Sequence, residues 1–205
     1  MLSCRTESAT ADHVPEVLQY YLPEAGSNAF SLHRTKNFRE ADEAYHQALA
    51  SAKSSIDTIQ VNFTLDVICD LGVLLEVCNF ANRTDPLDGL MTAVETNQAN
   101  LRILVKESPI DGVENKIAIN AFQDTLEANE LSEHVEIRFF NGDQVHPKAA
   151  LIDEELLIVG SQNYHYSAWG DRALTEYSLA TDAPAAVEDF QRFFDYEWER
   201  AIPVE

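Results

Sequence analysis

Positive charge is scarce in this sequence. Only 14 lysines and arginines stand against 35 aspartates and glutamates among 205 residues, a formal net charge of −21. The acidity runs through both halves of the chain rather than sitting in a tail. A chain this acidic gains nothing from counterion release along a phosphate backbone, so a general nucleic-acid binder is disfavoured. Cysteine is nearly absent too. Cys4, Cys69 and Cys78 form no CxxC pair and leave an odd count, which argues against both a zinc site and a disulfide framework. No apolar run approaches the length needed to span a bilayer, and the start, MLSCRTESATADHVPEV, is acidic and lacks the apolar stretch of a signal peptide. The expectation is a soluble chain, cytoplasmic or peripheral to a membrane. There is no phosphate-cradling GxxxxGK loop. His13, His33, His46 and His134 are scattered without metal-ligand spacing, so no cofactor is expected.

What is present is the composition of a folded domain. Hydrophobic residues make up 45% and charged residues 24%, close to globular averages, which excludes wholesale disorder. Residues 1–36 show weak periodicity and read as an N-terminal arm or linker, leaving residues 37–205 as one catalytic domain. An amphipathic helix begins near Phe38, with Ala41, Tyr45, Ala48, Leu49 and Ala52 on one face. Ile56 to Leu65 reads as a buried strand, Asp66 to Phe80 returns to helical spacing, and Asp85-Pro86 opens another helix with a cap residue and proline in its first turn. The alternation continues with a strand over Leu101 to Lys106, a helix over Val113 to Glu130 and a strand over Val135 to Phe140, followed by the turn residues Asn141, Gly142 and Asp143. Two short apolar runs, Ala149 to Ile152 and Leu156 to Val159, flank Asp153-Glu154-Glu155 and suggest a hairpin. A last strand over Tyr177 to Ala180 precedes a helix over Pro184 to Arg200, with Val187, Phe190, Phe194 and Trp198 on its inner stripe. Strands alternating with helices predict an α/β fold, a layered α-β-α sandwich around a mixed β-sheet.

The informative stretch is VHPKAALIDEELLIVGSQNYHYSAWGDRALTEYSLAT. His146 and Lys148 are two residues apart, so on an extended segment both side chains take the same face. Ser161 and Asn163 repeat that spacing beyond the hairpin, where an adjacent strand brings them alongside the first pair. One imidazole nucleophile and three hydrogen-bond donors then make a pocket for a phosphoryl group, with no metal required. Glu176 could accept from the other imidazole nitrogen and fix the tautomer. Asp153 has the alternative of shaping the hairpin turn, and Ser161 and Asn163 that of an ordinary cap. Tyr164, Tyr166 and Trp169 could rim the site mouth at headgroup level, with packing in the core as their other reading. His165 lies beside the motif without a lysine or acid at useful spacing and is assigned to the pocket rim.

The spacing HxK(x)4D(x)6GSxN, filled by His146, Lys148, Asp153, Gly160, Ser161 and Asn163, resembles the phospholipase D superfamily. Glu176 falls downstream, where that family commonly has an acid. The resemblance covers about residues 37 to 200 and implies a mechanism with two such motifs facing each other. One histidine attacks phosphorus, and the other protonates the leaving group and then activates water or an acceptor alcohol. This chain supplies one motif. The partner expected is therefore either a second copy in an isologous dimer or the other half of a longer two-motif enzyme. The likeness of Ser27 to Leu65 to the segment between the halves of cardiolipin synthase-like proteins keeps the latter open. The expected substrate is a phospholipid or another phosphodiester, approached through peripheral membrane contact. A nuclease of the same superfamily is the first alternative, and a non-catalytic dimerisation partner the second.

Overall fold

The computed structural model describes residues 29–33, 38–64, 86–107, 112–140, 145–169 and 174–204. Its strands are β1 (Ala29–His33), β2 (Ser55–Gln60), β3 (Asn100–Lys106), β4 (Val135–Phe140), β5 (Lys148–Ile152), β6 (Leu156–Gly160), β7 (Tyr177–Thr181) and β8 (Ile202–Pro203). The helices are α1 (Phe38–Ala50), α2 (Pro86–Asn97), α3 (Gly112–Ala128) and α4 (Pro184–Arg200). All eight strands join one sheet in the order β1-β7-β6-β5-β2-β3-β4-β8. β2, β3 and β4 are parallel, while β5, β6, β7 and β1 add antiparallel to one side. The sheet is mixed, as the alternation of elements predicts.

Period-two alternation along the strands divides the core between two faces. Ile56, Leu101, Ile103, Ile152 and Ile158 meet Leu49 of α1, Leu90 of α2, and Ile119 and Phe122 of α3 on one face. Ile59, Leu104, Leu151 and Leu157 meet Val187, Phe190, Phe194 and Trp198 of α4 on the other. This is the α-β-α sandwich. An ion network fastens α4 to its face: Arg102 on β3 makes two bonds to Asp57 on β2, at 2.7 and 2.6 Å, and reaches Asp195 of α4 at 3.0 Å. Its guanidinium also lies 5.0 Å from the Phe194 ring centroid, so charge and aromatic packing act at the same point.

The structure departs from the sequence reading at the sheet edges. Ala29 to His33, expected to belong to the arm, pairs antiparallel with β7 from Ala29↔Thr181 to His33↔Tyr177. A five-residue edge strand is defined by its neighbour's hydrogen bonds, which leave little periodicity in its own sequence. β8, only two residues long, is invisible for the same reason. The first buried strand stops at Gln60 rather than Leu65. Beyond it the chain leaves the ladder, and the N–H groups of Phe63 and Thr64 donate to Asn115 Oδ1 and Tyr164 O. The helix expected over 66–80 and the turn at 141–143 lie outside the described residues.

Candidate active site

The site forms where β5 begins and β6 ends, at the carboxyl ends of the parallel strands β2 and β3. Lys148 is buried while His146, just ahead of the strand, is exposed. The Lys148 Nζ lies 2.9 Å from His146 Nδ1 and donates to the His146 carbonyl at 3.1 Å. Its hydrocarbon stem is covered and only its head reaches the imidazole. Burial pushes the Lys148 pKa below its ordinary value; Glu176 pulls it up, and Lys106 at the end of β3 pushes it down.

The register across three strands assembles the rest. Lys148 pairs with Gly160, and Gly160 pairs with Ser178 of β7. A Cβ on Gly160 would stand 2.3 Å from Ser178 Oγ and 2.4 Å from the Tyr177 carbonyl oxygen. Glycine at this position is thus a requirement of close strand approach. Immediately after it, the Ser161 N–H donates to Tyr177 O at 3.0 Å, and Ser161 Oγ accepts from the Tyr177 N–H at 3.2 Å. The Ser161 hydroxyl donates to Glu176 in a short bond. Asn163 Oδ1 accepts from the Asn62 N–H at 3.2 Å, and its backbone carbonyl accepts from Trp169 Nε1 at 2.7 Å. The serine hydroxyl and the asparagine amide are therefore both held by neighbouring strand ends.

His146, Lys148, Ser161 and Glu176 are brought together, with Asn163 two residues beyond Ser161. Three sequence expectations need correction. Glu176 was assigned to the imidazole, but its carboxylate instead accepts from the Ser161 hydroxyl, and it acts on Lys148 through its charge. Asp153 lies at the far end of β5. There it accepts from the N–H groups of Lys53, Ser54 and Ser55 and from Ser54 Oγ. Although burial pushes its carboxyl up, these donors outweigh that and hold its pKa below the ordinary range. Asp153 and Glu154 both adopt left-handed backbone, at φ 53 and 58, as a tight hairpin turn requires. Finally, Tyr164 and Trp169 form no rim. They are buried and stack edge-on around Tyr45 of α1, because an apolar ring gains more from the core than from the site mouth. Burial also pushes the Tyr164 pKa up to about 12.

His165 caps the short 3-10 turn at Tyr166–Ala168. Its Nδ1 accepts from the Ser167 N–H at 3.1 Å, which places the neutral ring's proton on Nε2. The side chain of Tyr166 is outside the described set. Asn115, unremarked in the sequence, is fully buried near the start of α3. It donates to Val61 O at 2.9 Å and Lys106 O at 3.0 Å and accepts from Phe63 N–H at 2.9 Å. One amide thereby clamps the ends of β2 and β3 beside the site. The only sequence signal is a polar residue at an inward helical position. No group of three or more metal-type ligands occurs among the described residues.

A family model described as cardiolipin synthase, PLD-like domain, matches residues 45–198. No curated protein matches the sequence significantly. Among solved structures, the chain is similar to a phospholipase D family member, Nuc, from Salmonella typhimurium, with TM-score 0.63 and 17% identity over 86% of this chain and 97% of that one. It is similar also to NucT from Helicobacter pylori, with TM-score 0.60 and 14% identity over 86% and 98%. Phosphatidylserine synthase from Haemophilus influenzae Rd KW20 gives TM-score 0.55 and 13% identity over 86% of this chain and 40% of that one.

Proposed function

The chain belongs to the phospholipase D superfamily, and from that premise we propose that it is a metal-independent phosphodiesterase that cleaves or transfers phosphatidyl groups through a phosphohistidine. The observation that carries this reading is the buried Lys148 ammonium 2.9 Å from the exposed His146 imidazole, at the strand junction that also holds Ser161. A ring nitrogen of His146 forms a bond to phosphorus as the bond to the leaving oxygen breaks. A second histidine donates the proton that the departing alcohol carries away. That histidine then takes a proton from water or an acceptor alcohol, whose oxygen attacks phosphorus and releases His146. Lys148, Ser161 and Asn163 supply the positive charge and N–H or O–H donors that the developing phosphoryl charge needs.

The sequence holds one HxK motif, so the second histidine comes from another copy of the motif. A domain of this length makes up nearly the whole chain of the Salmonella and Helicobacter structures, which supports a second copy of this same chain, related by a twofold axis.

Charge supports a lipid substrate over a nucleic acid. Between Asn141 and Glu176 only Lys148 and Arg172 are basic, against six acids. A long polyanion draws its affinity from lysine and arginine contacts, whereas a phosphatidyl group presents one phosphate. The nuclease reading is supported by the burial of Tyr164 and Trp169, which takes two of the three expected aromatics away from the site mouth. Vesicles of phosphatidylglycerol and single-stranded DNA, compared in excess EDTA at low and moderate salt, test both. Faster turnover of the lipid, undiminished by EDTA, is expected. Faster DNA cleavage that weakens steeply with salt would assign the nuclease, and metal-reversible loss in EDTA would refute the mechanism.

A further inference from the structure

Gln60 ends β2 fully buried, and nothing described so far uses it. Its place follows from register. β2 and β5 pair as far as Ile59↔Ala149, so the next step along both strands sets Gln60 opposite Lys148. Opposed residues of paired strands share a face, with Cβ atoms about 4.5–5.5 Å apart. The same row continues through Gly160 on β6 to Ser178 on β7.

Thr58 fixes the orientation of the Gln60 amide. Its hydroxyl donates to the Ala149 carbonyl at 2.9 Å, so its oxygen accepts from Gln60 Nε2–H at 3.3 Å. The amide nitrogen therefore points back along β2, and Oε1 is the end left over. Gln60 Oε1 is buried and meets no hydrogen-bond donor, and the same holds for Ser178 Oγ. Two unmatched acceptors thus share a row with a buried ammonium, Gln60 on the adjacent strand and Ser178 across the side-chain-free Gly160. An ammonium carries three N–H donors, and the Lys148 bonds described above all run to His146. A buried acceptor without a donor is costly, so a row that keeps two of them in line with a buried cation, one on Gln60 and one on Ser178, is suited to receive it.

We infer that Gln60 is a positioning residue for Lys148: its Oε1 takes an N–H of the ammonium when a phosphate oxygen draws Nζ away from His146. The imidazole is then released to attack, and the cation stays beside phosphorus. Ser178 Oγ is the second acceptor on the same floor. The inference rests on the phosphodiesterase reading of this site. Glu176 ahead of β7 and Lys106 at the end of β3 act on Lys148 through their charge, and the His146 imidazole meets its Nζ directly. Against that fixed background, removing the Gln60 acceptor disfavours the ammonium, and a carboxylate in its place favours it.

The test follows the Lys148 signal by NMR in the full chain carrying 13C-labelled lysine, assigned with Lys148→Arg, in wild type, Gln60→Leu and Gln60→Glu, each saturated with inorganic phosphate, which supplies the oxygen that draws Nζ from His146. The pH profile of bis(p-nitrophenyl) phosphate hydrolysis is measured beside it. The titration midpoint should fall by about one pH unit in Gln60→Leu and rise by about one in Gln60→Glu, with the basic limb of kcat following each. Equal midpoints in all three proteins, or a move in the same direction in both variants, would overturn the assignment. The NMR titration needs no turnover, so an inactive wild type would count against the phosphodiesterase reading alone. If Gln60→Leu does not fold, Gln60→Glu, which matches glutamine in size, decides by itself: a midpoint that does not rise overturns the inference.

Discussion

At the start of β5, Lys148 holds its ammonium against a single histidine; just past its end, Asp153 is gripped by the backbone of three residues. The two are five residues apart on an extended segment, roughly 16 Å, and both belong to one sequence motif. Asp153 receives the N–H groups of Lys53, Ser54 and Ser55 and the Ser54 hydroxyl, which converge on its Oδ1 and tie the hairpin to the start of β2. Lys148 is bonded to the imidazole and the backbone carbonyl of His146, an arrangement that a phosphate can exchange for its own oxygens. Chemistry needs an end that can let go, and architecture needs one that cannot. A motif read only as spacing merges the two.

Substitutions at the two ends should therefore separate activity from stability. The largest expected effect is His146→Ala, which should lose at least a thousandfold in phosphodiester turnover, about 4 kcal/mol of transition-state stabilisation, with an unchanged melting temperature. Steady-state kinetics beside calorimetry would show it, and substantial residual activity would dissolve the contrast. Gly160→Ala sharpens it from the other direction. Its Cβ would meet Ser178 and the Tyr177 carbonyl inside van der Waals distance, so a destabilisation of about 3 kcal/mol is expected, with activity falling because β6 and β7 separate beneath Ser161. Urea unfolding measures the first part.

Asp153→Ala should cost about 2 kcal/mol in the same unfolding experiment and leave turnover per folded molecule within a few-fold of wild type. A loss of activity as deep as that of His146→Ala, in a protein that melts normally, would place Asp153 back in the chemistry. The smallest effect is one of pH. The Asp153 carboxyl titrates below its ordinary value in the folded chain, so the stability it adds is present above the unfolded-state value near 4 and is lost as pH falls through the folded one. The gap in melting temperature between wild type and Asp153→Asn should thus be widest near neutrality and close in acid.

The same contrast explains how much could be read from the sequence. The layered α/β sheet was legible because β2 to β6 and the four helices carry strong period-two and helical patterns, and α4 was bounded correctly by Pro184 and the stripe ending at Trp198. The spacing of His146, Lys148, Ser161 and Asn163 is legible in the sequence, but only Lys148 lies on a strand: His146 precedes β5, and Ser161 and Asn163 follow β6. What the sequence hid was pairing across distance. Nothing local shows that Asp153 reaches Lys53 to Ser55, or that Asn115 bridges Val61 and Lys106. The aromatic residues were ambiguous for a similar reason, since Tyr164 and Trp169 reveal their burial only once Tyr45 of α1 is packed against them. Gln60 looks like an ordinary polar interruption until the register puts it opposite Lys148.

The central claim is that His146 is the nucleophile, and rapid-quench trapping tests it most directly. The full chain is mixed with a phosphodiester substrate, denatured at alkaline pH, where a phosphohistidine survives, and digested for mass spectrometry. The account expects the substrate-derived phosphoryl adduct on the peptide containing His146 and its absence in His146→Ala. An adduct on Ser161 or His165, or wild-type trapping in His146→Ala, would contradict it.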